Sequence, residues 1–265
     1  MIINDHERQG MLINERHNQI IKELREDPNI TVKELARRLF VSEPTVRRDF
    51  SELHKKGIIT KYYGGAILNQ GAADREIPFV LRENEKSKTK AEIGMKAAEL
   101  VSDGMVIMLD GSTSAYHLVP YLQKYKDIIV ITSGAKTAVA LAELHVPVFS
   151  TGGKMRTNSF SYVGKEAEET VARYNADIMF FSCHGLSEDG MMSDMSIDEA
   201  NLRRAMFKKS KQKYLLCDSS KFNKVYFYDM GNVSELDGVI SDAELPEKIR
   251  EKIKETETKT VDGIK

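Results

Sequence analysis

The strongest constraint on this chain lies in its first sixty residues, where two short helix signals follow each other across a tight turn. Thr31 with Glu34 three residues on has the form of a capping box, and Leu35, Ala36 and Leu39 give the helix behind it one apolar face. Phe40 and Val41 mark the turn. Ser42 then caps a third helix with Pro44 in its first turn, where a missing backbone N–H costs little, and Gly57 suits a left-handed stop. A first helix is expected over about Glu15 to Arg25, with Ile20, Ile21 and Leu24 at helical spacing ahead of the breakers Asp27 and Pro28.

Projected at about 100° per residue, the third helix puts Val46, Phe50 and Leu53 on one side. Thr45, Arg48, Ser51 and Lys55 lie broadly opposite, with Arg47 on the flank. One face packs and the other is free, which is how a helix is presented to the major groove. Arginine forks bind guanine edges or phosphates, and hydroxyls reach backbone or base. Behind Gly57, residues 58–63 read as a strand, and Gly64 with Gly65 permits a hairpin into Ala66, Ile67 and Leu68, a wing. The plain alternative is a solvated, charged helix face. Charge distribution bears on the choice. From Thr31 to Lys61 there are eight bases (Lys33, Arg37, Arg38, Arg47, Arg48, Lys55, Lys56, Lys61) against four acids (Glu34, Glu43, Asp49, Glu52), a local excess of four positive charges in a chain of net charge −1.

The stretch VSEPTVRRDFSELHKKGIITKYYGGA resembles the DNA-binding domain of the DeoR family of bacterial regulators. The resemblance runs from Arg16 to about Ala66 and includes the arginine pair and the Gly64, Gly65, Ala66 ending. Phe50, Lys61 and Tyr63 stand where the family usually carries leucine, arginine and histidine. The candidate DNA contacts are Ser42, Thr45, Arg47, Arg48, Ser51, Lys55, Lys61 and Tyr63. Residues 1–68 are thus read as a winged helix-turn-helix domain.

Residues 69–90 are polar and broken by Gly71 and Pro78, and read as a linker around an apolar island at Ile77, Phe79, Val80 and Leu81. A helix is expected over Lys90 to Val101. Compact apolar runs then alternate with loops and helical stretches (MVIML, DIIVIT, VPVFS, DIMFF, KYLLC, DGVIS), the pattern of a largely parallel sheet flanked by helices over residues 91–250. Residues 251–265 read as a polar tail. Four of these runs end in hydroxyl or glycine loops: Asp110 to Ser114, Thr132 to Gly134, Thr151 to Gly153 and Cys217 to Lys221. In an open α/β sheet such ends line a crevice, where exposed backbone N–H groups and helix N-termini receive an anion. Asp110 and Asp218 suit a polyol, and Lys221 suits a phosphate. Any one of the loops is also ordinary turn chemistry.

The order of LDGSTS, STGGKMR, DEANLRRAM and LLCDSSKF resembles the DeoR-family sensor domain, extending the likeness to about Asp242. It implies an α/β sheet related to ribose-5-phosphate isomerases, used to bind an effector. The effector candidates are Asp110, Gly111, Ser112, Thr113, Thr132, Gly152, Gly153, Glu199, Asp218 and Lys221; Ser133 departs from a common asparagine.

With 41% hydrophobic and 30% charged residues, no apolar run near the roughly 18 residues of a spanning helix and no signal-peptide core at the start, a cytoplasmic protein is expected. Cys183 and Cys217 form neither a CxxC pair nor a zinc knuckle and read as buried thiols; no metal or cofactor is expected. Cys183 and His184 point to opposite faces of a strand and make no ready dyad. Met191, Met192 and Met195 read as gap fillers. The function expected is a homo-oligomeric repressor of a carbohydrate operon that binds a double-stranded operator and is released by a phosphorylated sugar. The alternative is a sugar-phosphate isomerase or deaminase with an accessory DNA-binding head, drawing a base, an acid and a clamp from Asp218, Glu199 and Lys221.

Overall fold

The computed structural model describes residues 13–55, 58–68, 78–254 and 259–261. It divides into two compact units, Met1–Glu85 and Lys86–Lys265. In the first, α1 (Ile13–Glu26), α2 (Val32–Arg38) and α3 (Glu43–Lys55) precede β1 (Ile59–Tyr62), β2 (Gly65–Leu68) and a short α4 (Phe79–Arg82). Ile20, Leu24, Leu35, Val46, Phe50, Leu53, Ile59 and Ala66 share one core with Leu81 of α4. The described end of the expected linker, residues 78–90, is therefore partly helical; Gly57, Gly71 and Ile77 lie outside the described residues. Both caps form: Thr31 Oγ1 accepts the Glu34 N–H at 3.2 Å and Ser42 Oγ accepts that of Thr45 at 3.3 Å.

The turn between α2 and α3 closes with Phe40 N–H donating to Arg37 O (3.3 Å) and Val41 N–H to Ala36 O (3.0 Å), which satisfies carbonyls that the helix end leaves open. Phe40 holds the left-handed position, φ +54°, where glycine is usual. In the hairpin Tyr62 pairs with Gly65, so the turn is Tyr63 and Gly64 rather than the two glycines. Gly64 supplies φ +90°, and its carbonyl accepts the Val32 N–H at 3.0 Å.

The second unit is built on a seven-stranded, wholly parallel sheet of order β14-β13-β11-β8-β3-β4-β5. Its strands are β3 (Val106–Leu109), β4 (Ile129–Thr132), β5 (Val148–Ser150), β8 (Ala176–Phe181), β11 (Ser210–Leu216), β13 (Gly238–Ile240) and β14 (Lys259–Val261). The six apolar runs became strands. The seventh, β14, lies in the stretch read as a tail, where a three-residue polar strand carries no run to detect. The helices are α5 (Ser87–Ala98), α6 (Thr113–Tyr116), α7 (Ala135–Glu143), α8 (Lys165–Val171), α9 (Ile197–Lys208) and α10 (Glu247–Lys254). Helix α5 starts at Ser87, after Lys86 at φ +53°.

Strand alternation divides the apolar side chains between two cores. Met108, Ile131, Met179, Phe181 and Leu215 face one side, while Ile107, Leu109, Val130, Ile178, Phe180 and Leu216 face the other. Two smaller pieces escaped the sequence reading: a hairpin of β6 (Lys154–Arg156) and β7 (Ser161–Val163), and an antiparallel sheet of β9 (Gly185–Leu186), β10 (Met191–Asp194) and β12 (Tyr228–Asn232). Met192 fills the core beneath that sheet. The strand order reverses beside β3: the chain runs from β3 to β4 and β5 on one side, then returns to β8 and β11 on the other. Crevices form at such switch points, outside the carboxyl ends of the strands.

Candidate functional site

On α3, Val46, Phe50 and Leu53 are buried, while Ser42, Arg47, Arg48 and Lys55 are exposed and Thr45 and Ser51 half-buried. Ser51 Oγ donates to Arg47 O at 2.9 Å and accepts from Lys61 Nζ of the wing at 3.1 Å, so β1 is braced against the helix. Tyr63 stands fully exposed at the wing tip. The exposed ion pairs of Arg47 with Glu43 (3.5 Å) and of Lys55 with Glu52 (3.7 Å) are weak and yield readily to phosphate. Arg38 instead ties α2 to α1 through Glu23 at 2.7 Å. Asp49, absent from the sequence reading as a packing residue, is buried: Arg16 donates to it through two nitrogens at 2.6 and 2.8 Å, and His17 lies at 3.2 Å. Its spacing from Val46 and Phe50 was the available signal, masked by its charge.

In the second unit, Asp110 leaves β3 at the switch point and is buried. Its carboxylate accepts the backbone N–H groups of Ser112 (3.1 Å) and Ser182 (3.2 Å) and Nε of Arg203 (2.7 Å). Arg203, on α9, also reaches Asp194 at 2.5 Å and Glu199 at 3.8 Å, joining one guanidinium to three carboxylates. Glu199 accepts from Ser159 at 2.6 Å and from Ser161, and lies 3.5 Å from Arg156. Burial pushes the Asp194 and Glu199 carboxyls up, yet Arg203, together with His184 and the Ser196 amide at Asp194 and with the Ser159 and Ser161 hydroxyls at Glu199, holds both below their ordinary range. Asp110, Gly111, Ser133, Ser161, Tyr162, Glu199, Leu202 and Arg203 surround a cavity of about 10 Å³, room for about one water. At Gly111 an added Cβ would lie 2.6 Å from that of Ser161, so the β3 loop touches the β6–β7 hairpin only because the position is glycine.

A second corner lies beside the first. Lys221 Nζ donates to Ser182 Oγ at 2.7 Å and lies 3.6 Å from Asp218, which also faces Lys86 at 3.5 Å. Burial raises the Asp218 carboxyl, but Lys221, the Ser220 hydroxyl, and Lys90 with Lys86 bring it down to about 2. Lys90 is itself buried.

Among the sequence candidates, Asp110, Gly111 and Glu199 meet around the cavity, with Ser112 and Thr113 in the adjoining turn, where Ser112 Oγ caps α6. Asp218 and Lys221 form the second corner. Thr132 is spent locally, Oγ1 accepting the Gly134 N–H at 3.0 Å, and Gly152 and Gly153 supply the positive φ of the turn between β5 and β6. Sequence reading missed Arg203, Asp194, Ser161 and Tyr162. The pair Glu199 and Arg203, four apart on one helix face, was the only local signal.

A winged helix-turn-helix with outward cations, carried on the same chain as an α/β unit with a small polar crevice at its switch point, defines a DNA-binding regulator with a sensor domain. Residues 16–72 match the DeoR-like helix-turn-helix domain and residues 85–243 the DeoR C terminal sensor domain. The chain belongs to the DeoR family of transcriptional regulators. It is 33% identical over 236 residues to the regulator YulB of Bacillus subtilis (strain 168), covering 89% of this chain and 91% of that protein. It is 32% identical over 242 residues to a lactose phosphotransferase system repressor of Staphylococcus epidermidis, covering 90% and 95%. Among solved structures, a ribose 5-phosphate isomerase from Methanocaldococcus jannaschii matches 52% of this chain and 55% of its own, at 16% identity and a TM-score of 0.40. No helix among the described residues is long and apolar enough to cross a membrane.

Proposed function

We propose that this protein is a cytoplasmic, homo-oligomeric repressor of a carbohydrate operon, and that a phosphorylated sugar binding at the carboxyl edge of the parallel sheet releases it from its operator. The observation that carries the DNA half is the recognition helix, whose Arg47, Arg48 and Lys55 project outward while Val46, Phe50 and Leu53 anchor it and Lys61 braces the wing on Ser51. Ser42, Thr45 and Tyr63 complete the contact set. The name of the staphylococcal relative supports the carbohydrate assignment. In the sensor, Lys221 with Lys86 and Lys90 offers cations to phosphate, and the turn Asp110 to Thr113 with Glu199 offers acceptors to sugar hydroxyls. Turnover of a sugar phosphate is the less supported reading. The relatives named above are regulators.

Fluorescence polarisation with DNA from upstream of the gene tests the proposal. Arg47→Ala with Arg48→Ala is expected to lower affinity at least tenfold and to flatten its dependence on salt by about two counterions. Unchanged binding would overturn the reading. A thermal-shift screen with ribose 5-phosphate, fructose 6-phosphate and glucosamine 6-phosphate locates the effector: stabilisation that vanishes in Lys221→Ala supports the pocket, and stabilisation that survives it refutes the assignment.

A further inference from the structure

Six non-glycine residues among the described ones hold a left-handed backbone: Phe40, Lys86, Asp127, His145, Phe160 and Asn223. Lys86, Asp127, His145 and Asn223 are polar and exposed. Phe160 is half-buried, with Lys136 Nζ 5.9 Å from the centre of its ring. Phe40 is the exception, an aromatic ring at φ +54° with 96% of its surface exposed. A residue with a Cβ bears a cost there that glycine avoids, and no burial offsets it. Strain of this kind persists where a function holds it.

The position of Phe40 in the head points to its partner. It follows the C-cap of α2 and stands two residues ahead of Ser42, whose hydroxyl caps α3 and lies 2.9 Å from that of Thr45. Val41, between them, packs toward the core of the head, which leaves Phe40 and Ser42 on the outside of the turn. In a helix-turn-helix, the amino-terminal end of the recognition helix contacts base edges. At the other end of α2 the Val32 N–H donates to Gly64 O of the wing, beside Tyr63. Phe40 and Tyr63 thus stand at opposite ends of one seven-residue helix, about 10 Å long. They are the two most exposed large apolar side chains among the described residues. In the major groove, the apolar group that a phenylalanine ring meets is the 5-methyl of thymine.

We infer that Phe40 is a specificity contact of the DNA-binding head, its ring resting against a thymine methyl beside the start of the recognition helix. The apolar surface of the ring leaves water only when DNA is bound, so it contributes to affinity and not to folding. The contact favours thymine over the other three bases, because none of them carries that methyl. It adds to the arginines, which bind phosphate or guanine edges and do not distinguish thymine by its methyl. The inference rests on the recognition-helix reading proposed above.

The test titrates full-length protein, by fluorescence polarisation, against DNA from upstream of the gene, made once with thymine and once with uracil throughout. Uracil pairs as thymine does and lacks the methyl. Phe40→Asn removes the ring and tolerates the left-handed backbone. It is expected to bind the thymine duplex at least about fourfold more weakly, the worth of one buried carbon. The native protein is expected to lose affinity on the uracil duplex, and Phe40→Asn to lose about fourfold less. Phe40→Leu keeps an apolar tip and is expected to retain most of the affinity and of the thymine preference. The melting temperature of Phe40→Asn is expected to match or exceed the native one, so that weaker binding is not a folding defect. Unchanged affinity of Phe40→Asn for the thymine duplex overturns the inference. So does a loss of equal size on both duplexes, which assigns the ring to the sugar-phosphate backbone or to a protein surface. If Arg47→Ala with Arg48→Ala leaves binding intact, the recognition-helix reading has failed, and the difference between the two duplexes still decides Phe40.

Discussion

Asp49 and Phe40 show how much a single side chain in this head can decide. Asp49 is an acid beside the arginine pair of the recognition helix, yet it is buried against Arg16 and His17 and fastens α3 to α1. Removing one partner of a buried pair strands the other charge, so Asp49→Ala is expected to cost about 3–5 kcal/mol by urea denaturation of the head's transition. Arg48→Ala, on an exposed face, is expected to change stability by less than about 0.5 kcal/mol while weakening DNA binding. Phe40 has the opposite character. It sits at φ +54° with 96% of its surface exposed, so little burial offsets the left-handed backbone. Phe40→Gly is expected to stabilise the head by about 0.5–1 kcal/mol, since a left-handed side chain costs about 1–2 kcal/mol and glycine's extra chain entropy returns part of it. A lower melting temperature for that variant would refute the argument.

Among the elements, α9 does the most to organise the sensor. Its Arg203 joins Asp110 from the β3 loop to Asp194 from β10 and Glu199 from its own first turn, while Glu199 reaches the β6–β7 hairpin through Ser159 and Ser161. Carboxylates from three elements therefore meet one buried guanidinium, and the hairpin joins them through Glu199. Arg203→Met leaves three carboxylates without their shared cation and is expected to destabilise the sensor by about 3–5 kcal/mol. Arg203→Lys is expected to rescue only part of this, because an ammonium cannot reproduce the planar fork. Equal unfolding midpoints for the methionine variant and the native protein would show that the network contributes nothing to stability. These elements were unequally legible in the sequence. The cap residues Thr31 and Ser42 and the apolar runs act over a few positions, and so they announced α2, α3 and six strands. The β6–β7 hairpin has three-residue strands in a polar stretch, and only its contact with the Gly111 loop gives it meaning.

For the whole molecule, burial of carboxylates beside cations sets the response to acid. Asp218 lies near 2 against an ordinary 3.8, and Asp194 and Glu199 shift in the same direction. A carboxyl lowered in the folded state contributes stability that is complete above its ordinary pKa and disappears as pH falls through the folded value. Unfolding free energy measured in urea is thus expected to decline between pH 4 and about 2, and Asp218→Asn is expected to make that decline shallower. An identical slope in the variant would show that Asp218 does not contribute to it.

Local order in the chain was sufficient to determine a capped helix pair with a wing, a parallel sheet, and the loops at whose ends a crevice lies, because helical and strand periodicities and cap chemistry are properties of neighbouring residues. Tertiary structure alone decided that Arg203 meets Asp110 across 93 positions, that Lys221 meets Ser182, and that two distant cysteines share one core. Such pairings are set by which strands lie side by side in the sheet, and strand order is fixed by the packing of whole layers, which no short window of sequence contains.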